Sequence, residues 1–78
     1  MNTSSNDLQR FVKDRRSKAG LTQLELAAKA GVGLRFLRDM EQGKPTLRLD
    51  KVNQVLRLFG HELAPVPFNR QKYLDETS

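Results

Sequence analysis

Apolar residues recur at helical spacing along most of the chain, and they predict an all-α fold. The first helix is predicted over residues 7–19, with Ser5 or Asn6 as its N-cap and Gly20 after its last turn. The polar residues 1–6 are predicted to be disordered. The apolar face of this helix carries Leu8, Phe11, Val12 and Ala19.

Two shorter helices, joined by a tight turn, are predicted between residues 22 and 43. Thr22 is placed to cap the first of them, and Glu25 three residues later completes a capping box. Gly31 suits the left-handed position that ends this helix, and Gly33 stands at the start of the next one. The inward faces of the two helices carry Leu26, Ala27 and Ala30, and then Phe36, Leu37 and Met40.

The outer face of the second short helix is polar, and it is the most informative surface in the chain. It carries Leu34, Arg35, Arg38, Asp39 and Gln42. Arginine pairs with guanine in the major groove of DNA and glutamine pairs with adenine, so this face has the chemistry of a helix that reads bases. A solvated amphipathic helix would show the same pattern, and the helix alone leaves both interpretations open.

The fourth helix is predicted from an N-cap at Thr46 to Phe59, with Gly60 as its stop. Leu47 and Leu58 lie off its inward stripe, as surface leucines or as part of an interface. The stripe itself carries Leu49, Val52, Val55, Leu56 and Phe59.

Residues 61–68 are apolar and rich in proline, and they are predicted to form an edge strand. Pro65 and Pro67 remove donors from one edge only, so the strand can pair on the other edge. No second strand is evident in the sequence, which points to the same segment of another copy as the partner. The predicted dimer interface comprises Leu58, Glu62, Leu63, Ala64, Val66 and Phe68. Residues 69–78 are predicted to be a flexible tail.

Composition narrows the classes of function. The 78 residues suffice for one small domain, and a net charge of +5 suits a polyanionic partner as well as a merely soluble basic protein. The lack of cysteine excludes disulfides and thiolate sites, and His61 is the only histidine. We therefore predict no enzyme activity, no catalytic residues, no metal and no cofactor. No apolar run approaches the roughly 18 residues of a membrane span, and the N-terminus lacks a secretory pattern, so we expect a cytoplasmic protein.

Residues 22–43 carry a sequence pattern that resembles a known family. Thr22-Gln23, Glu25-Leu26-Ala27, Gly31-Val32, Leu37, Glu41 and Gly43 match the pattern of Xre/Cro-type helix-turn-helix regulators. The resemblance covers about residues 7–60 and implies a four-helix, lambda-repressor-like bundle. The chain departs from the pattern at Gly33, where the family usually has Ser or Thr.

This resemblance implies roles for individual residues. An Arg at the position of Arg16 pairs in this family with the Glu at the position of Glu41, and Gln23 matches a glutamine that binds a DNA phosphate. We expect Leu34, Arg35, Arg38 and Asp39 to contact base edges. The phosphate contacts are expected from Thr22, Gln23, Gly33, Lys44 and Arg48.

The helix-turn-helix followed by LFGHELAPVP further resembles HipB-type antitoxins, which bind operator DNA as dimers and also bind a HipA-type kinase toxin. The resemblance implies a dimeric, autoregulating repressor of an inverted-repeat operator, located on the bacterial nucleoid when bound to double-stranded DNA. An antitoxin that neutralises a toxin kinase, with DNA binding secondary, is the main alternative. A phage-type repressor without a toxin partner is another, and RNA binding is weaker because the chain lacks exposed aromatic pairs.

Overall fold

The computed structural model describes residues 4–69, with side chains from Asp7 onward, and these residues form four helices. The helices are α1 (Ser4–Lys18), α2 (Gln23–Ala30), α3 (Leu34–Glu41) and α4 (Leu49–Leu58). The predicted all-α helix-turn-helix bundle is therefore confirmed. None of these helices is long and apolar enough to cross a membrane.

The terminal segments differ in part from the prediction. The helix α1 starts at Ser4, so residues 5 and 6 lie inside it rather than capping it, and it ends before Ala19, which is exposed. The rest of the predicted disordered segment, residues 1–3, lies outside the described residues. Residues 70–78 of the predicted tail also lie outside them.

Apolar side chains from all four helices meet in one core. The helix α3 packs against α1 and α2, and α2 packs against α4, so α3 is fixed along two sides. Val32, in the turn between α2 and α3, is only 8% exposed and completes the core beside that turn. Its other buried members are Val12, Leu26, Ala27, Leu37, Met40, Val52, Val55 and Leu56. Fully burying a side chain of this size stabilises a fold by roughly 1.5 to 3 kcal/mol, so this core is the main source of stability.

All four helices end in the same backbone motif. A glycine with φ between +70° and +80° follows each helix. Its amide donates to a carbonyl three residues back, and the next amide donates to a carbonyl five residues back, which is the Schellman arrangement. The glycines are Gly20, Gly31, Gly43 and Gly60. Each helix consequently stops at a defined residue, and the chain turns sharply there.

Replacing Gly43 tests the glycine stops at the position where an added Cβ would have the least space. A side chain at φ +80° is strained, and a Cβ there would lie 2.8 Å from Gln9 Oε1 of α1. We expect Gly43→Ala to lower the free energy of unfolding by about 1 to 2 kcal/mol in urea denaturation. Gly20→Ala is the control, because Gly20 has φ +70° but no atom within 4 Å of the added Cβ. A Gly43 variant more stable than the Gly20 variant would contradict the expected contact with Gln9.

The start of α4 corrects the sequence prediction. Thr46 is not its N-cap, because the helix begins at Leu49 and its N-cap is Arg48, which makes no side-chain capping bond. Leu49 was expected in the core but is 69% exposed. Leu47, expected at the surface, lies in the loop before the helix and packs against the core. The later start of the helix leaves Leu49 in its first, uncovered turn.

Residues 61–69 follow α4 without forming a helix or a strand in the single chain, and all are exposed. The ring of His61 lies 4.6 Å from that of Phe11, measured between centroids, and the Leu63 amide donates to Asn53 Oδ1 at 2.7 Å. These contacts hold the start of the segment against α1 and α4. The strand was predicted to pair with a second copy, so pairing across a dimer stays a prediction.

Candidate nucleic-acid interface

The helix α2 begins with the predicted capping box. Thr22 Oγ1 accepts from the Glu25 amide at 3.1 Å, and the Thr22 amide donates to Glu25 Oε1 at 2.8 Å. These hydrogen bonds from the Thr22 backbone and side chain lower the pKa of the Glu25 carboxyl. The capping box is therefore complete at neutral pH, and its contribution is lost when the pH falls through the lowered pKa of Glu25.

The start of α3 lacks a comparable cap. Gly33 is its N-cap residue, with φ −73°, and it provides no side-chain hydrogen bond. The first backbone N–H groups of a helix have no acceptor within the helix, and among residues 7–69 no side chain accepts a hydrogen bond from those of α3. The departure from the family pattern at Gly33 thus leaves these amides available to an external acceptor.

The two faces of α3 are sharply different. Leu37 and Met40 are buried on the inner face, and Phe36 packs beside them. The outer face carries the predicted base-contacting residues. Arg35 and Arg38 are exposed, with the Arg35 side chain 89% accessible, and Leu34 and Asp39 are half-buried beside them. The structure therefore places all four predicted residues on one solvent-facing surface.

The charges on this face are not equivalent. Asp39 Oδ1 lies 3.5 Å from Arg35 Nε, and Asp39 Oδ2 lies 3.5 Å from Lys44 Nζ, so one carboxylate serves two cations. The Arg38 side chain, by contrast, has no hydrogen-bond or ion-pair partner among residues 7–69. The exposed guanidinium of Arg38 is consequently the cation of α3 most available to a ligand.

A partly buried ion pair fixes α3 to α1. Arg16 Nε donates to Glu41 Oε2 at 2.8 Å and Arg16 Nη2 to Glu41 Oε1 at 2.9 Å, so the predicted Arg16–Glu41 bridge is present and bidentate. Glu41 is 1% exposed. Arg16 Nη1 also donates to the Leu21 carbonyl at 3.1 Å. The hydrogen bonds to Glu41 raise the pKa of the Arg16 guanidinium above its ordinary value.

Gln23 also hydrogen-bonds to Glu41, a contact that the sequence did not indicate. Its Nε2 donates to Glu41 Oε1 at 3.1 Å, linking the first residue of α2 to the last of α3. A carboxylate only accepts, so the amide nitrogen must face Glu41, and this nitrogen has a second proton to donate. The side chain predicted to bind phosphate is thus already oriented by a buried carboxylate.

The remaining predicted phosphate contacts lie at helix ends. Lys44 lies just after the Gly43 turn that ends α3, and Arg48 directly precedes α4. Arg48 holds Asp50 through contacts of 2.8 and 3.2 Å, and this pairing lowers the pKa of the Asp50 carboxyl. The candidate interface is therefore the outer face of α3 with donors at the starts of α2, α3 and α4.

Comparison with known proteins agrees with this geometry. Residues 12–64 match the family model described as helix-turn-helix. The chain is also 50% identical, over 54 residues, to the uncharacterized HTH-type transcriptional regulator y4mF of Sinorhizobium fredii. That alignment covers 69% of this chain and 71% of the relative.

Proposed function

Because this chain belongs to the helix-turn-helix family of transcriptional regulators, we propose that it is a repressor that recognises a specific DNA sequence through α3. The observation that carries this proposal is the outer face of α3. Exposed arginines lie there, on a helix held on its inner side by the core and by the partly buried Arg16–Glu41 pair. A rigid helix with mobile donors on its free face has the geometry needed to read the major groove.

Each side chain on this face suits a particular base edge. Arg35 and Arg38 pair with the O6 and N7 acceptors of guanine, and Leu34 makes an apolar contact with a thymine methyl group. Asp39 accepts from the amino group of cytosine. The phosphate contacts come from the helix starts, where Thr22 is exposed, Gln23 has a second amide proton to donate and the amides after Gly33 have no side-chain cap, and from Lys44 and Arg48.

A dimer would place two such helices on one operator. Leu58, Leu63, Val66 and Phe68 are 36% to 76% exposed in the single chain, and they form the apolar part of the proposed interface with Glu62 and Ala64. Pairing of residues 61–68 from two copies would bury these side chains. A two-fold dimer spaces its recognition helices by about one DNA turn, roughly 34 Å, so the operator should be an inverted repeat.

Sedimentation equilibrium at high micromolar concentration tests the dimer. We expect the wild-type protein to sediment as a dimer and Val66→Asp, at a 76% exposed position, to shift it toward the monomer. Val66 lies outside the core, so the circular dichroism of the variant should match that of the wild type. A wild-type monomer under these conditions would exclude the proposed strand pairing.

A titration against DNA tests the main proposal. Duplexes covering the region upstream of the protein's own gene are compared with random duplexes at two salt concentrations by fluorescence anisotropy. We expect tight binding to an inverted repeat, well above random DNA, which would mean that the protein represses its own promoter. Equal affinity for all duplexes would contradict sequence-specific repression and favour a protein partner as the main target.

Lys44→Ala should weaken binding to every duplex. Its side chain is half-exposed at the end of α3, and a phosphate contact depends on charge rather than sequence. We expect lower affinity for operator and random DNA alike, with the slope of log K against log salt reduced by about 1 on the operator and by less on random DNA, where phosphates share Lys44 with Asp39. Lys18→Ala on α1 is the control, since Lys18 is also exposed and paired with one aspartate, Asp14, but lies on the opposite side of α1 from Gln9 and Arg16, which contact the end of α3. An unchanged slope for Lys44→Ala would exclude Lys44 from the phosphate contacts.

We further propose a HipA-like kinase toxin as a protein partner, on the resemblance of the chain to HipB-type antitoxins. The kinase-like product of an adjacent gene, mixed with this protein, should give a complex of defined mass in gel filtration. An antitoxin acting through that complex alone would show it without specific DNA binding. A phage-type repressor would show specific DNA binding without the complex.

A further inference from the structure

Asp39 places a negative charge on the surface that the proposed function turns toward DNA. Two features of its surroundings make that position unfavourable for a carboxylate. Phosphates repel it, and it lies in the last turn of α3, where the helix dipole favours cations. Its side chain is only 22% exposed, so it is held against the protein rather than extended into solvent.

The backbone fixes Asp39 beside Lys44. The Lys44 amide donates to the Asp39 carbonyl at 3.0 Å, and the Gly43 amide donates to Met40 at 3.1 Å, which together form the Schellman end of α3. In this motif the two residues joined by the longer hydrogen bond usually make an apolar contact. At the end of α2 they do, since Ala27 and Val32 are both buried. At the end of α3 the two corresponding residues, Asp39 and Lys44, form an ion pair instead of an apolar contact.

The two cations are close to Asp39 without being locked to it. Arg35 Nε and Lys44 Nζ each lie 3.5 Å from a different carboxylate oxygen, and neither pair is short enough for a strong charged hydrogen bond. Solvent-accessible pairs of this kind are weak. A phosphate or a base edge can therefore replace Asp39 as a partner of either cation.

We propose that Asp39 is a specificity-determining residue, which weakens binding to unmatched DNA by holding Arg35 and Lys44 on its own carboxylate. This inference rests on the proposed DNA-binding function. On unmatched DNA the carboxylate competes with phosphates for both cations and is itself repelled by them. On a matched site the amino group of cytosine donates a hydrogen bond to Asp39, while Arg35 contacts a guanine and Lys44 contacts a backbone phosphate. The carboxylate thus opposes binding only where no base donor meets it.

Asp39→Asn tests this role because it keeps the shape of the side chain and removes its charge. We expect affinity for a random duplex to rise about eightfold at about 0.1 M salt, which is the value of one added phosphate contact. The salt slope should steepen by about 1. Affinity for the operator should rise less or fall, so that the ratio of operator to random affinity drops. The melting temperature should stay close to that of the wild type.

Asp14→Asn is the matched control, since Asp14 pairs with Lys18 one turn along α1 and the net charge changes equally. We expect it to raise affinity for random DNA less than twofold. In a Lys44→Ala background the gain from Asp39→Asn should shrink, because one of the two released cations is missing. Equal gains for the two Asn variants, or an undiminished gain without Lys44, would overturn the inference.

The outcomes also separate this inference from the proposed function. The wild-type protein could bind all duplexes equally while Asp39→Asn, unlike Asp14→Asn, raises the affinity for DNA. That result would contradict sequence-specific repression but would support the claim that Asp39 holds Arg35 and Lys44 back from DNA. Preference for an operator that is unchanged in the Asp39 variant would support repression and overturn the role of Asp39. Absence of binding to any duplex at low salt would overturn both.

Discussion

Replacing Arg16 by alanine is expected to lower the free energy of unfolding by about 3 to 5 kcal/mol. The substitution leaves the carboxylate of Glu41, which is 1% exposed, with Gln23 as its remaining hydrogen-bond donor. A buried charge without its counterion is among the costliest defects in a small domain. A loss of this size approaches the whole stability expected for a chain this short. We therefore expect the helical circular dichroism signal to be reduced already in buffer, and urea denaturation to give the difference where folding persists.

Two further variants identify the cause of this loss. Arg10→Ala removes another α1 arginine from an exposed pair with Asp7, and exposed pairs contribute only about 0 to 1 kcal/mol. The double variant Arg16→Met with Glu41→Leu removes both charges of the pair, and it should recover much of the stability lost by Arg16→Ala. A loss for Arg16→Ala no larger than that for Arg10→Ala would show that the partly buried pair does not hold α1 to α3.

Arg38→Ala is expected to weaken operator binding by about 1 to 3 kcal/mol, or roughly 5-fold to 150-fold, with little change on random DNA. Arg38 is the exposed cation of α3 whose side chain has no partner among residues 7–69, so its guanidinium is free to make a bidentate contact with guanine. Anisotropy titrations of the variant with operator and random duplexes measure the two affinities. Its stability should be unchanged, since the side chain packs on the surface.

The conservative replacement sharpens this prediction. Lysine keeps the charge but cannot form the two parallel hydrogen bonds of arginine. We therefore expect Arg38→Lys to keep most of the affinity for random DNA and to lose much of the preference for the operator. Equal losses of affinity on both duplexes for Arg38→Ala would instead identify Arg38 as a phosphate contact.

Features set by neighbours in the sequence could be predicted before the structure. The capping box of Thr22 and Glu25 and the glycine stop at Gly31 depend on residues a few positions apart, so their side-chain types suffice to identify them. The Arg16–Glu41 pair spans a long sequence separation, and only the family resemblance indicated it. The inner face of α3 followed from helical period alone.

Features set by tertiary packing could not be predicted in the same way. Helical period placed Leu49 inward, but α4 begins at that residue and Leu47 contacts the core from the loop instead. The hydrogen bond from Gln23 to Glu41 joins two helix ends whose proximity has no signature in residue spacing. The pairing of Asp39 with Lys44 likewise depends on how the chain turns at Gly43.

The glycine stops that end all four helices also bear on how fast the chain folds. Residues 19–22 and 31–33 are short links, so α3 lies close in the chain to both helices that it packs against, α1 and α2, with little loop entropy to overcome. Small helical domains dominated by such local contacts fold in microseconds to milliseconds. A newly synthesised chain would thus reach its working conformation well within the time that a ribosome needs to add one further residue.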